Sequence, residues 1–259
     1  VLRRFRALIA SLLSLAALSG CATFDRNDVA ASVGTSQVSI DDVSALSAEE
    51  ALPGEALRQQ LTLWIRATRL QQYTGSPVDA TLGSVGGPAF DQLIATLVDP
   101  AEAETQYNQG ASAVLCPRAI PVSTQEDGAA AIEAYESGAT FAEAAAQYSN
   151  DPAIVASGGE LDTLIGGECV SPAGLNPDLV SLLTETPVGS MVLHQVSGGL
   201  IILQHKPFAE LAAASQQQVA GTLVTEADFA AAFEDADITV DPRYGRWDAA
   251  TFSVVPMQS

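Results

Sequence analysis

The sequence predicts an α+β chain: one compact strand-and-helix unit with helical segments on either side of it in sequence. Three observations predict this. Before residue 112 apolar residues recur mainly at helical spacing, most clearly in Glu55–Tyr73. From Ala113 the pattern changes to short β-like runs and short helical ones in the order strand, helix, helix, helix, strand, strand, over about 95 residues. After Pro207 helical spacing returns.

Each element has its own cause. Val29–Val33 and Gln37–Ile40 are short β-like runs around a turn at Gly34, and Asp41 and Asp42 offer an N-cap to a helix carrying Val43 and Leu46. In Glu55–Tyr73, Leu57, Leu61, Trp64, Ile65 and Thr68 share one stripe, with Arg58, Arg66 and Arg69 mostly elsewhere. Gly75–Gly87 is a break, after which Pro88 suits a helix first turn and Phe90, Leu93, Ile94, Leu97 and Val98 form a second apolar face. Ala101–Gln109 continues as helix to Gly110. Val114–Val122 reads as a strand, Ser123–Asp127 as a capped helix start, and Ala129–Ser137 and Thr140–Tyr148 as helices separated by Gly138. A polar loop, Ser149–Gly159, precedes a Gly-rich stretch and a helix over Asp178–Glu185. Met191–Val196 and Leu200–Gln204 are strands joined at Gly198-Gly199. Glu210–Val224 and Glu226–Phe233 read as helices, and Asp241–Trp247 as a turn-rich tail. Pro121 falls inside the first strand of the unit, where a proline removes a ladder donor.

Composition narrows function. Arg3, Arg4 and Arg6 precede an uncharged, mostly apolar run of 12 residues, Ala7–Leu18, closed by Leu18-Ser19-Gly20-Cys21. That order is a secretory signal. The apolar run is too short for a span of ~20 residues. The formal charge is −20, with 31 acidic residues; loss of the three leader arginines makes it −20 − 3 = −23. Such a field repels nucleic acid and anionic lipid, so no nucleic-acid partner is expected. With Cys21 assigned to the signal, Cys116 and Cys169 remain, and an exported chain lives where disulfides persist. No CxxC occurs, and His194 and His205 have no ligand-like spacing to either cysteine, so neither metal nor cofactor is expected.

Two resemblances add to this reading. Leu18–Cys21 resembles the lipobox of bacterial lipoproteins, which implies acylation of Cys21 and an anchor on the extracytoplasmic face of the cell membrane through lipid only. Segment 117–208 resembles the parvulin-type peptidyl-prolyl isomerase domain of extracytoplasmic foldases. The residues that carry it are Ile120-Pro121-Val122, Gly138–Ala145, Tyr148–Pro152, Gly158–Leu161, Gly189 and Gly198–Ile202. The surroundings resemble the SurA/PrsA chaperone architecture, and Asp241–Trp247 resembles the tail of its actinobacterial members. The resemblance implies a four-stranded antiparallel sheet with flanking helices, inserted in a helical chaperone lobe. The implied division is signal peptide 1–20, lobe 21–112, parvulin-like domain 113–208, and returning helix plus tail 209–259.

Prolyl isomerisation has a barrier of ~18–20 kcal/mol from the partial double bond of the imide, and breaks no covalent bond. It needs an apolar cup for the proline ring and a site matched to the twisted imide. Carried over position by position, the family's acid-or-thiol position falls on Asp151, which also fits helix-end or turn chemistry before Pro152. The cup positions fall on Leu175 and Leu179, which also fit plain core, and the small polar position on Ser197. The two histidine positions fall on Ala119 and Leu200, and both histidines are lost. His194 and His205 occupy other strand positions and read as surface or edge residues. The resemblance thus implies a folding factor that binds unfolded or proline-containing polypeptide, with weak or absent isomerase activity. An active isomerase, and a structural lipoprotein with one fixed partner, are the alternatives.

Overall fold

The apolar stripe of Glu55–Tyr73 folds as the helix Gly54–Thr74, burying Leu61, Trp64, Ile65 and Leu70. The computed structural model describes residues 28–50, 53–76, 81–84 and 88–257; the leader and Cys21 lie outside the described residues. The architecture is α+β, in two compact units. One takes the described residues up to Gln72, those between Asp79 and Val85, and those from Phe233 onward. The other takes those between Tyr73 and Val78 and between Gly86 and Ala232.

In the first unit β1 (Val29–Val33) pairs antiparallel with β2 (Ser36–Ser39) on one side and β6 (Ile238–Val240) on the other. Gly34 makes the β1–β2 turn at a φ of 55°, a region that favours glycine. The helix Ile40–Glu50 follows β2 directly. Its cap is Ser39 and not the expected aspartates: the Asp42 N–H donates to Ser39 Oγ, while the Ser39 N–H and Oγ–H donate to Asp42 Oδ2. The turn-rich tail leads into the hairpin of β7 (Arg246–Asp248) and β8 (Ser253–Val255). Three-residue strands carry too little alternation to be read from sequence. Arg66 holds this tail by donating to the carbonyls of Phe252 and Thr251, and Thr62 Oγ1 accepts from the Val254 N–H.

The second unit is built on an antiparallel sheet of order β3-β5-β4, from β3 (Pro117–Val122), β4 (Met191–Val196) and β5 (Gly199–His205). Three strands form where four were expected. At the free edge of β3 two single bridges, Leu115 to Val170 and Arg118 to Glu160, stand in the fourth strand's place. Pro121 removes no bond to β5. The Ala119 N–H points outward, donating to the Gly159 carbonyl, and the position two residues on has the same orientation. The helices Gln125–Glu136 and Phe141–Tyr148 cover one sheet face over Ile120, Val122, Ala131, Ala144 and Ile202.

Residues 88–112 and 209–232 belong to the same compact unit as this sheet. The helices Pro88–Ala95, Pro100–Asn108 and Ala213–Leu223 share a core with it. Ala95, Ala103, Tyr107, Val219 and Leu223 pack with Phe208 around the Cys116–Cys169 disulfide. The C-terminal strand that pairs with β1 is β6.

Candidate functional site

The two sheet faces differ because strand residues alternate. Register pairs Ala119 with Leu203, Pro121 with Ile201, and Val122 with Leu200. Ala119, 1% exposed, lies with Leu115, Leu183 and Leu203 on one face. Around them Leu161, Leu175, Leu179, Val192 and Ile201 are half-buried. Leu175 ends the short turn Pro172–Gly174, and Leu179 belongs to the helix Pro177–Glu185, which Asn176 caps by accepting from the Asp178 N–H. The face is therefore a row of aliphatic side chains, deeply packed at its centre and open at its margin.

Of the residues expected at a site, the structure brings together Ala119, Leu175 and Leu179. Leu200 packs on the opposite face, with Ile120, Val122 and Phe141. Ser197 is exposed in the β4–β5 turn. Asp151 caps the helix Pro152–Ser157, its Oδ1 accepting from the Ala153 N–H at 2.8 Å. That helix was expected as loop; its six residues are too few to show a periodicity. The Asn150 N–H donates to the Pro121 carbonyl, which sets the start of this helix at the end of β3. Gly158 and Gly159 terminate it at φ of 68° and 90°. A Cβ at Gly159 would meet the Phe141 ring at 2.4 Å, so this glycine permits the close approach of the loop to the sheet.

The two histidines are not both at the surface. By register His194 opposes Ile201 and shares the face of Ala119, half-buried. His205 is 3% exposed, and burial lowers its pKa to about 4. Its ring lies 4.9 Å from that of Tyr107, and it lines a cavity of about 150 Å³ with Leu115, Leu183, Thr184 and Val188. Sequence reasoning missed its burial because the residues around it, Tyr107 and Leu115 among them, are distant in sequence.

It also missed a polar cluster at this same end of β3 and β5, where Arg118 pairs with Gln204 beside the Pro117–His205 pair. Arg118 Nε donates to Gln204 Oε1 at 2.5 Å, its Nη1 to Glu210 Oε2 at 2.6 Å, and its guanidinium carbon lies 4.3 Å from the Phe141 ring centroid. Lys206 Nζ donates to Glu160 Oε1 at 2.9 Å and Glu168 Oε1 at 2.6 Å. Glu168 Oε2 accepts the Ala212 N–H, and Tyr107 donates to the Lys206 carbonyl. Burial pushes the Glu168 carboxyl up, but hydrogen bonds from Lys206, Ser215 and Ala212 win and hold it below the usual range. Burial likewise disfavours the charged Lys206, and the two glutamates reverse this and raise its pKa. The signal was present in the sequence: Arg118 and Lys206 are the only Lys or Arg from Gly86 to Ala232. The cluster joins strand ends to the Ala213–Leu223 helix start. Among the described residues no group of three His, Cys, Asp or Glu is placed to hold a metal ion.

No family model matches the sequence, and no curated protein matches it. Among solved structures the chain is similar to the peptidylprolyl isomerase PrsA of Bacillus anthracis, at 14% identity over 75% of this chain and 94% of that one, with a TM-score of 0.31. It is similar to PrsA of Bacillus subtilis at 14% identity, over 88% and 80%, TM-score 0.32. A third similar structure comes from work on two SurA-like chaperones of Campylobacter jejuni, at 19% identity, over 69% and 81%, TM-score 0.31.

Proposed function

We propose that this chain is an extracytoplasmic folding factor that holds extended apolar polypeptide, and that it catalyses proline rotation weakly or not at all. The observation that supports it is the face around Ala119: half-buried Leu161, Leu175, Leu179, Val192 and Ile201 can bury a client side chain without chemistry. Rotation of an imide needs polar groups preorganised beside the ring. The resemblance puts the family's histidine positions on Ala119 and Leu200, neither of which carries a polar side chain, and the Asp151 carboxylate is engaged at a helix start. Export agrees with the Cys116–Cys169 disulfide, a bond that persists in oxidising compartments. Acylation of Cys21 is part of the proposal. Among the described residues no helix is long and apolar enough to cross a membrane.

The test is a pair of assays on the purified protein. Aggregation of a chemically denatured client should fall in proportion to the protein added, while a proline tetrapeptide should isomerise at close to its uncatalysed rate. Undiminished aggregation overturns the holding role. Turnover comparable to an intact parvulin overturns the loss of catalysis and promotes the enzyme reading, in which case Asp151→Ala should abolish it.

A further inference from the structure

From Gly86 to Ala232 the sequence has two Lys or Arg and 18 Asp or Glu, a balance of 2 − 18 = −16. Both cations are spent inside. Arg118 is 4% exposed and Lys206 8%, and their ion pairs go to Glu160, Glu168 and Glu210. Fifteen of the 18 carboxylates therefore have no lysine or arginine in this stretch to neutralise them. Three of the 15 stand at the starts of short helices that also carry apolar residues. Asp151 precedes Pro152–Ser157, which exposes Val155 at 37%; Asp162 opens Asp162–Ile165, which exposes Leu164 at 70%; and Asp178 lies in the first turn of Pro177–Glu185, beside Leu179. The last two helices adjoin or contain residues of the Ala119 face: Leu161 directly precedes Asp162, and Leu179 directly follows Asp178.

We propose that this face selects polypeptide segments in which lysine or arginine flanks apolar residues. The inference rests on the holding role above and names its client chemistry. An apolar row alone would take any extended apolar segment. Carboxylates adjacent in sequence to two of its residues, with every lysine and arginine of the stretch buried, make binding of a cationic segment favourable and of an acidic one unfavourable. A unit charge pair at 4 Å in water changes affinity by about fivefold, so two such contacts give on the order of tenfold or more.

The test uses the full chain and three fluorescent peptides with one shared apolar sequence, flanked by Lys, Gln or Glu. Binding is read by anisotropy at ionic strengths of about 0.01 M and 1 M, where the screening length falls from ~30 Å to ~3 Å. The Lys peptide should bind at least about tenfold tighter than the Glu peptide at low salt, with the difference largely gone at high salt. Asp162→Asn with Asp178→Asn should cut this preference at least about threefold. Glu126→Gln with Glu133→Gln removes equal charge from the helix on the opposite sheet face and should leave it unchanged. Gln and Lys peptides binding equally, or both double variants acting alike, overturns the selection while leaving the holding role standing. Failure of all three peptides to bind at either ionic strength, together with undiminished client aggregation, overturns both.

Discussion

Replacing Lys206 by methionine keeps its aliphatic stem and removes the charge between Glu160 and Glu168. The side chains of Lys206 and Glu168 are 10% and 13% exposed, that of Glu160 29%. Breaking a buried pair costs ~3–5 kcal/mol because it strands the partner's charge, and partial exposure of Glu160 lowers this, so about 2–3 kcal/mol is expected near pH 7. The pH dependence identifies the cause. In the native chain Glu168 has a depressed pKa, so its contribution is complete above the unfolded value of 4.5 and is lost as pH falls through the folded one. Lys206 has a raised pKa, so its contribution is complete below 10.5 and is lost as pH rises through the folded value. The pair therefore stabilises between these limits. Without Lys206, burial opposes only the Ser215 and Ala212 hydrogen bonds, so the Glu168 carboxyl takes up a proton more readily on acidification towards pH 4 and the stranded charge disappears with it. Urea denaturation at the two pH values should show the cost of Lys206→Met falling to less than about half. Glu168→Gln added to it should recover stability at pH 7, since the amide oxygen still accepts the Ala212 N–H. An equal cost at both pH values, or a double variant no more stable than the single one, refutes the reasoning.

The Cys116–Cys169 bond closes a loop of sequence separation 53; in the chain-entropy model its removal by paired alanines costs about 4 kcal/mol, read as a lower denaturation midpoint that reductant no longer shifts. Between pH 6.5 and 4 the unfolded chain binds a proton at His205 that the folded chain does not, so stability should decline on acidification by up to about 3 kcal/mol, and His205→Asn should flatten that slope in a pH series of melts. Gly159→Ala places a Cβ 2.4 Å from the Phe141 ring at a φ of 90°, which should cost more than about 2 kcal/mol by urea titration, whereas Gly138→Ala, with nothing within 4 Å of the added Cβ, should cost less. Cys21→Ser should release the protein from membrane fractions or leave its leader uncleaved, as read by fractionation and mass spectrometry.

Local signals in the sequence carried most of the elements. The stripe of Leu61, Trp64 and Ile65 has the full length of a long helix behind it, and Thr140 with Glu143 forms the capping box that begins Phe141–Tyr148. Ile202 and Leu203, adjacent in β5 and so on opposite faces, are both apolar, the mark of a sheet buried on both faces. What was not legible depends on partners distant in sequence. β6, β7 and β8 have three residues each and take their meaning from β1, from one another, and from Arg66 and Thr62. The pairing of Lys206 with Glu160 and Glu168 spans 46 and 38 residues, so no local rule finds it. The grouping of Ala213–Leu223 with the sheet unit likewise follows from Tyr107, Phe208 and the disulfide meeting in one core.

The residues of the resemblance divide by what they do. Gly159 admits the Phe141 ring, Thr140 and Glu143 cap a helix, Asp151 caps another, and Ile120 and Ile202 fill the covered face. Each answers a demand of backbone geometry or packing. Ala119 belongs to a different class. Its methyl lies among Leu115, Leu183 and Leu203, its N–H is satisfied by Gly159, and its side chain leaves no polar atom buried without a partner. A ring in that place would have to displace packed leucine, at a cost of ~1–3 kcal/mol for overpacking. The core has closed over the position. The proposed holding role asks only for the packing residues that give this face its shape, and it needs no polar group at position 119.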